Sequence, residues 1–277
     1  MIEILNEDCN TTLLTLDRCV DVILTSPPYN TGRELNSERA RNNHEARYDI
    51  YLDNKTKDEY CDWVVKLFKS FNSVLKDNGC ILWNVSYCSD NSAKQNNGDL
   101  VWLTIADIIR NTPFTVADRI IWKKKSALPN NVSQNKLTRI CEDVFVFCRK
   151  DELKTFYSNR EVKSVSRTGQ KYYVPVYNFI EAKNNDGSCK LNKATFSSDF
   201  VVKLLEIYAP KGGLVYDPFM GTGTTAVGCL RYGCDCIGSE LSEAQCEFAK
   251  ARLIDKGFIQ KQTSSGESTV FRHVACH

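Results

Sequence analysis

Two short segments have residue types and spacings that could carry chemistry. The first, Thr25-Ser26-Pro27-Pro28-Tyr29, follows the apolar run Val20 to Leu24. Two consecutive prolines end a strand and lock φ, so the Ser26 hydroxyl and the Pro27 carbonyl are expected in a fixed arrangement. Each could accept one hydrogen of an aromatic amine and so turn the nitrogen lone pair toward an electrophile. Tyr29 could stack on the ring that bears the amine.

The second segment is a glycine turn between a strand and a helix-like stretch. It reads Asp217-Pro218-Phe219-Met220-Gly221-Thr222-Gly223-Thr224-Thr225. Such a turn lets a ligand approach the backbone, and the following helix N-terminus attracts negative charge. With two glycines and no following Lys-Ser/Thr pair, it fits neither the dinucleotide fingerprint nor the P-loop. About twenty residues on, Glu240 follows a short strand, where a carboxylate could accept hydrogen bonds from both ribose hydroxyls.

The elements that must position these segments alternate along the chain. Amphipathic helices are predicted over Tyr60 to Leu75, Leu100 to Ile109 and Phe200 to Tyr208. Apolar strands are predicted over Val20 to Leu24, Cys80 to Val85, Arg119 to Trp122, Cys141 to Cys148, Leu214 to Tyr216 and Cys234 to Gly238. This alternation indicates an α/β fold with a mostly parallel sheet.

Composition excludes several classes of protein. The 277 residues are 42% hydrophobic and 25% charged, unlike a disordered or membrane protein. The net charge of +2 means that any contact with nucleic acid must come from local clusters of Lys and Arg. The sequence has thirteen cysteines but does not begin like a secretory signal peptide, so we expect free thiols. No two cysteines form a CxxC pair, so we expect no metal site. The apolar runs fall short of the ~20 residues that span a bilayer.

Two polar regions interrupt the alternation of helices and strands. Residues 151–190 are basic and aromatic, which suits phosphate contacts and base stacking, although a solvated meander has the same composition. Residues 30–53 form a long loop without periodicity, which is expected either to be functional or to be a solvated insertion.

Together, the two segments resemble those of the DNA amino-methyltransferases, whose catalytic motif is Ser/Asp/Asn-Pro-Pro-Tyr/Phe and reads Ser26-Pro27-Pro28-Tyr29 here. The catalytic motif precedes the glycine turn, with the basic region between them, as in the β class of that family. The resemblance runs from Ile2 to Leu253. It implies a circularly permuted, Rossmann-like class I methyltransferase fold, with a mostly parallel seven-stranded sheet, helices on both faces and an inserted target-recognition region.

The resemblance also implies an organisation and a set of ligands. Residues 1–150 would be the catalytic half, 151–190 the target-recognition insert, 191–256 the cofactor-binding half of the same domain and 257–277 a C-terminal tail. The implied cofactor is S-adenosyl-L-methionine, and the implied substrate is DNA whose target base is flipped out of the duplex.

Site residues follow from the same resemblance. Catalytic roles are implied for Ser26, Pro27, Pro28 and Tyr29. Cofactor contacts are implied for Asp8, Cys9, Thr25, Lys193, Thr195, Phe196, Asp217, Pro218, Phe219, Gly221, Thr222, Gly223, Thr224 and Glu240. Base-pocket or DNA contacts are expected at Asn30, Arg33, Trp122, Lys123, Arg139, Arg160, Lys163, Arg167 and Lys171, although Trp122 could equally belong to the core. The segment at 192–196 departs from the pattern of many relatives, in which it begins with His-Pro.

The predicted reaction is direct methyl transfer to cytosine N4. In this family serine at the first catalytic position accompanies mostly cytosine N4, and aspartate mostly adenine N6. Adenine N6 methylation and a catalytically inactive DNA-binding relative are the alternatives. Methylation at cytosine C5 would need a Pro-Cys nucleophile, which is absent, and the missing third glycine disfavours an oxidoreductase.

Partners beyond DNA stay open at this stage. A homodimer, a cognate restriction enzyme and, if the chain is a fragment, further chromatin-binding domains are all compatible with the sequence. The expected location is inside the cell, on DNA in the cytoplasm, nucleoid or nucleus, and away from membranes.

Overall fold

The computed structural model describes residues 1–30, 55–86, 99–131, 134, 137–187, 191 and 195–255, together with the backbone of two strands at 258–262 and 268–273. Two predicted site residues, Arg33 and Lys193, lie outside these ranges. Within them, no helix is both long and apolar enough to cross a membrane.

Every helix and strand predicted above is present, with its ends shifted by a few residues. The first half contains β1 (Ile2–Leu5), α1 (Cys9–Thr15), β2 (Val20–Thr25), α2 (Lys57–Val74), β3 (Leu75–Val85), α3 (Leu100–Asn111), β4 (Phe114–Lys124) and β5 (Cys141–Arg149). After a 3-10 turn at Lys150–Glu152 come β6 (Val162–Val165), β7 (Lys171–Tyr173), β8 (Phe179–Ala182), α4 (Ser198–Tyr208), β9 (Leu214–Asp217), α5 (Thr224–Tyr232), β10 (Asp235–Ser239), α6 (Glu243–Ile254), β11 (Phe258–Gln262) and β12 (Ser268–His273).

Ten of these strands form one sheet, in the order β11-β12-β1-β10-β9-β2-β3-β5-β4-β8. The strands β1, β10, β9, β2 and β3 are mutually parallel, β5 is antiparallel to β3, and β4 is antiparallel to β5. These seven adjacent strands are the predicted mostly parallel sheet. The sheet extends further than predicted, by β8 beside β4 and by the β11–β12 hairpin beside β1.

Two segment boundaries predicted from the sequence need correction. Residues 257–277, expected to be a tail, contain β11 and β12, and β12 pairs antiparallel with β1 so that Phe271 lies opposite Ile2. Within 151–190, only β6 and β7 form a separate two-stranded sheet. Strand β8 pairs with β4 and buries Ile180 and Ala182 in the main core, since even this four-residue strand alternates buried and exposed side chains.

Helices cover both faces of the sheet, as predicted. On one face α1, α2 and α3 pack over an aromatic cluster in which Phe68 lies 5.1 Å from Trp83 and 5.0 Å from Phe147, between ring centroids. On the other face lie α4, α5 and α6. Helices α4 and α5 approach so closely that a Cβ on Gly228 would lie 2.3 Å from Val201 Cγ1, so only glycine fits there. This contact fixes the direction of α5, which leads away from the predicted glycine turn.

Local sequence signals define where α2 begins. The Thr56 hydroxyl accepts a hydrogen bond from the Glu59 N–H at 3.3 Å, and the Thr56 N–H donates to Glu59 Oε2 at 2.9 Å. This reciprocal capping box satisfies two N–H groups that the first helical turn leaves unpaired.

The C-terminal end of α2 is fixed by Arg149, the last residue of β5. Its guanidinium donates to the carbonyl oxygens of Asn72, Leu75 and Lys76 at 3.1, 2.6 and 2.8 Å. These carbonyls lie around the helix end, where intrahelical donors run out. The Arg149 side chain is 8% exposed and pairs with Glu152 at 3.1 Å.

We expect Arg149→Met to lower the free energy of unfolding by about 3–5 kcal/mol, because the helix-end carbonyls and Glu152 lose a buried partner. The matched control is Arg18→Met, since the ion pair of Arg18 with Asp77 is exposed and such pairs contribute about 0–1 kcal/mol. Chemical denaturation of both variants measures the difference. Equal losses in the two variants would contradict the structural role of Arg149.

Candidate functional site

The two chemistry-bearing segments meet because their strands are neighbours. Strand β2 pairs in parallel with β9, so both segments emerge at the same edge of the sheet. Carboxyl ends of adjacent parallel strands are where α/β folds build their ligand clefts. Here the Thr25 hydroxyl donates to Asp217 Oδ1 at 2.6 Å, and both residues are buried. The proline turn and the glycine turn are therefore joined directly.

A cleft of about 1090 Å³, counting its open mouth, lies over this edge. The predicted residues that line it are Asp8, Cys9, Ser26, Pro28, Tyr29, Thr195, Phe196, Asp217, Pro218, Phe219, Gly221, Thr222, Thr224 and Glu240. The Ser26 and Gly221 regions thus share one cavity.

Eight lining residues escaped the sequence analysis. They are Glu7, Asn10, Trp63, Met220, Ser239, Leu241, Ser242 and Gln245. Trp63 lies in the predicted amphipathic helix Tyr60 to Leu75, and its ring lies 5.7 Å from that of Phe219 at the cleft. Ser242 could have been found from the sequence, because a serine before a helix is a typical N-cap. It caps α6 by accepting a hydrogen bond from the Gln245 N–H, which places both residues beside Glu240.

Asp217 organises the glycine turn from behind. Its carboxylate accepts hydrogen bonds from the Thr25 and Thr225 hydroxyls and from the Phe219 N–H, the last at 3.0 Å. Burial raises the pKa of Asp217 to about 6, while these three donors act in the opposite direction by favouring the ionised form. The group is therefore mostly ionised at neutral pH.

The glycines of the turn have different uses. Gly221 adopts φ 54° and donates its N–H to Glu240 Oε2 at 2.8 Å, facing the cleft. Gly223 adopts φ 80°, and a Cβ there would lie 2.7 Å from the Ala249 Cβ. Gly223 was predicted to contact a ligand, but it packs against α6 and does not line the cleft. Thr25, also predicted to contact the cofactor, does not line the cleft either and instead binds Asp217.

Glu240 was expected to use its oxygens on a ribose. Instead each oxygen already accepts a backbone N–H, from Gly221 at 2.8 Å and from Ser242 at 2.9 Å. A carboxylate oxygen has a second lone pair, so Glu240 can hold the turn and still accept from a ligand.

The N-terminal lining residues are also held in place. Asp8 caps α1 by accepting from the Asn10 N–H at 2.8 Å. Burial raises the pKa of the Cys9 thiol to about 12, which favours the neutral thiol over the thiolate. Across the described residues, no group of His, Cys, Asp and Glu side chains could hold a metal ion.

The proline turn brings Ser26 and Tyr29 together. Ser26 Oγ and the Tyr29 hydroxyl oxygen are 2.6 Å apart, and the Tyr60 hydroxyl donates to the Pro28 carbonyl at 2.7 Å. Tyr29 also borders a second cavity of about 360 Å³, whose walls include Trp83. The Tyr29 ring, the predicted stacking surface, therefore lies between two cavities, and its hydroxyl is hydrogen-bonded to the Ser26 hydroxyl.

Other predicted residues do not line the cleft. Trp122 is 1% exposed and stacks on Phe200 at 4.2 Å between centroids, so it belongs to the core. Lys123 pairs with Glu181 at 2.9 Å on the outer surface. Asn30 is buried with φ 55° and donates its side-chain amide to the Lys55 carbonyl at 2.8 Å.

The cations predicted to contact DNA are surface residues. Arg139, Arg160, Lys163, Arg167 and Lys171 are all exposed, and the last four belong to the β6–β7 hairpin or its flanks. They do not line the cleft, so the structure separates them from the predicted catalytic motif.

Comparisons with known proteins agree with this geometry. A family model described as DNA methylase matches residues 20–251. The type II methyltransferase M.BglII of Bacillus subtilis is 24% identical over 241 residues, which are 81% of this chain and 61% of M.BglII. The chain therefore spans less than two thirds of that relative.

Solved structures establish the fold. The PvuII DNA methyltransferase, described as cytosine-N4-specific, aligns with a TM-score of 0.65 at 18% identity, covering 91% of this chain and 89% of that one. M1.HpyAVI in complex with SAM aligns with a TM-score of 0.55 at 20% identity, covering 91% and 98%. The predicted fold class is confirmed.

Asp217 predicts a specific dependence of stability on pH. Its folded pKa of about 6 exceeds the usual 3.8, so its contribution favours the folded state below pH 3.8 and is lost as the pH rises through about 6. The loss is roughly 3 kcal/mol. Relative to wild type, we expect the free energy of unfolding of Asp217→Asn to rise between about pH 4 and pH 7.

Denaturation curves across this pH range measure the difference. Asp151→Asn, at an exposed position, is the matched control. A constant offset between Asp217→Asn and wild type at every pH would show that the buried carboxyl does not titrate in this way.

Proposed function

This chain belongs to the DNA methylase family, and on that premise we propose that it methylates the exocyclic N4 amine of cytosine in DNA. The observation that carries the proposal is the position of Ser26. The first catalytic position holds a serine and not a carboxylate, and Ser26 lines the same cleft as Gly221 and Glu240.

S-adenosyl-L-methionine is the cofactor of this family, and the cleft residues fit it. Glu7, Asp8 and Glu240 place acidic side chains around the walls, which favours a ligand bearing cationic sulfonium and ammonium groups. The rings of Trp63 and Phe219 provide an apolar wall for a purine. When bound, this cofactor supplies an electrophilic methyl group.

The contribution of Ser26 is to orient the nucleophile. An aromatic amine is a weak nucleophile because its lone pair is delocalised into the ring. Hydrogen bonds from its two N–H groups to the Ser26 oxygen and the Pro27 carbonyl would draw the nitrogen toward tetrahedral geometry. Ser26 Oγ keeps a lone pair for this contact beside its bond to Tyr29.

The proline turn keeps these acceptors rigid. Both prolines have a locked φ, and the Tyr60 hydroxyl anchors the Pro28 carbonyl from α2. Pre-organised acceptors do not have to reorient during the reaction, which is the main source of electrostatic catalysis. Tyr29 lines both cavities and is the ring on which a flipped base would stack.

The base assignment rests on the type of the first catalytic residue. Serine accompanies cytosine N4 in most members of the family that the motif resembles. The PvuII enzyme, whose fold this chain shares, is described as cytosine-N4-specific, which supports the same assignment.

The β6–β7 hairpin is the candidate for DNA contacts outside the cleft. Its cations are exposed, and the Arg160 guanidinium lies 5.4 Å from the centre of the Tyr173 ring. Exposed cations beside exposed aromatic rings suit phosphate contacts and stacking, so we assign target recognition to this hairpin.

The decisive experiment analyses nucleosides from unmethylated genomic DNA treated with the protein and S-adenosylmethionine. We expect N4-methylcytosine, and we expect Ser26→Ala to lower its rate of formation by about 10²–10⁴-fold with little change in cofactor affinity. Ser73→Ala, on the outer face of α2, is the control. N6-methyladenine as the only product would overturn the base assignment, and undiminished turnover in Ser26→Ala would overturn the catalytic one.

Glu240 predicts a separable effect on the cofactor. Glu240→Gln keeps one oxygen for the backbone but removes the negative charge, so we expect the Kd for S-adenosylmethionine to rise by about tenfold. Calorimetry on the DNA-free protein measures it. Glu243→Gln, exposed in the first turn of α6, should bind like wild type, and an unchanged Kd in Glu240→Gln would remove Glu240 from the site.

A further inference from the structure

An ion pair lies beside the glycine turn without lining the cleft. Arg252 belongs to α6 and Asp186 to the segment that follows β8, and Arg252 Nη2 lies 2.9 Å from Asp186 Oδ2. Their side chains are only 18% and 27% exposed. Neither residue lines the cleft as the structure describes it. Because both charges are largely withdrawn from water, salt screens the pair less than it screens a surface pair.

Arg252 holds the glycine turn from α6. Its Nη1 donates to the Thr222 carbonyl at 2.7 Å and to Thr224 Oγ1 at 3.1 Å. Thr222 and Thr224 both line the cleft. Ala249, about one helical turn before Arg252, packs so closely on Gly223 that a Cβ there would lie 2.7 Å from the Ala249 Cβ. These two small residues let α6 approach the turn, so that the guanidinium reaches it.

Asp186 holds a second wall of the cleft. Its Oδ1 accepts hydrogen bonds from the Ser198 N–H at 2.8 Å and from the Ser198 hydroxyl at 3.1 Å. Ser198 is the first residue of α4, and the cleft-lining residues Thr195 and Phe196 lie just before it. A carboxylate here satisfies an N–H group that the first helical turn leaves unpaired, and it suits the positive end of the helix.

One carboxylate therefore connects two walls that are distant in the sequence. Asp186 Oδ2 binds Arg252, and through it the glycine turn, while Oδ1 binds the start of α4. The guanidinium can serve three oxygen atoms because it has five N–H donors in a fixed plane. Asp186 also neutralises Arg252, so the guanidinium does not act as an uncompensated positive charge near a site for a cationic cofactor.

We propose that Arg252 and Asp186 are positioning residues for the cofactor, which clamp the glycine turn and the segment at 195–196 at the spacing that S-adenosyl-L-methionine requires. A turn that is already fixed does not have to be ordered when the ligand binds, so the clamp raises cofactor affinity. This role is additional to that of Asp217, which holds the same turn from the side of β2. The inference concerns cofactor binding and does not depend on which base is methylated.

The first test removes the guanidinium. By calorimetry on the DNA-free protein, we expect Arg252→Met to raise the Kd for S-adenosylmethionine by about 10- to 50-fold. The Kd for S-adenosylhomocysteine should rise by a similar factor, because the two ligands share the adenosyl and amino-acid parts. At saturating cofactor, the single-turnover rate should stay within about threefold of wild type, since the proline turn is not held by the clamp. An unchanged Kd would overturn the proposal.

Two arginines described above serve as controls. Arg149→Met loses a buried cation at the C-terminal end of α2, where β3 begins, at the sheet edge opposite the cleft. Arg18→Met loses an exposed cation. Both should bind S-adenosylmethionine like wild type. If Arg149→Met raised the Kd as much as Arg252→Met does, the loss would follow general destabilisation, and the clamp would be refuted.

A second variant tests whether the pair acts as a unit. Asp186→Asn keeps an oxygen for the Ser198 N–H but loses the charge that holds Arg252, so we expect the Kd for S-adenosylmethionine to rise by about three- to tenfold. Adding Arg252→Met should then give a Kd close to that of Arg252→Met alone, because coupled residues are not additive. Effects that multiply would overturn the shared clamp. Calorimetry needs no methyl transfer, so failure of the proposed function would leave these expectations unchanged.

Discussion

One hydrogen bond, from the Thr25 hydroxyl to the buried Asp217 carboxylate, sets the spacing of everything that faces the cleft. Thr25 ends β2 and Asp217 ends β9, so the bond joins the proline turn to the glycine turn at the point where both leave the sheet. The same carboxylate holds the Phe219 N–H and the Thr225 hydroxyl, one at each side of the glycines. A single anion thereby fixes the shape of the cleft floor.

Along each parallel strand, the residues that stabilise the fold and the residues that face the cleft occupy different positions. Strand interiors are apolar on both faces, and buried polar side chains collect near the carboxyl ends of the parallel strands, at Thr25, Asp217 and Ser239. There they hydrogen-bond to backbone groups or to other side chains, and Asp217 and Ser239 also line the cleft. Burial makes these contacts costly to break, and it also keeps competing water away from the acceptors.

Sequence reasoning succeeded where a residue type has few physical uses. The cleft and most of its lining residues were predicted from two signals. One is the pair of prolines after an apolar run, and the other is the glycine turn followed about twenty residues later by Glu240. Sequence reasoning failed where position depends on distant partners. Strand β8 is short and becomes a strand only by pairing with β4, and Trp122 has the same side chain whether it lines a pocket or stacks on Phe200.

The order of strands in the sheet has a consequence for how the chain acquires its structure during synthesis. Strand β1 is flanked by β10 and β12, and Thr25 is separated from Asp217 by 192 positions. Strands β1 and β2 therefore leave the ribosome well before these partners and wait with unpaired strand edges. Such high contact order slows folding, and it exposes β1 and β2 to wrong pairings until translation has passed residue 273, where β12 ends.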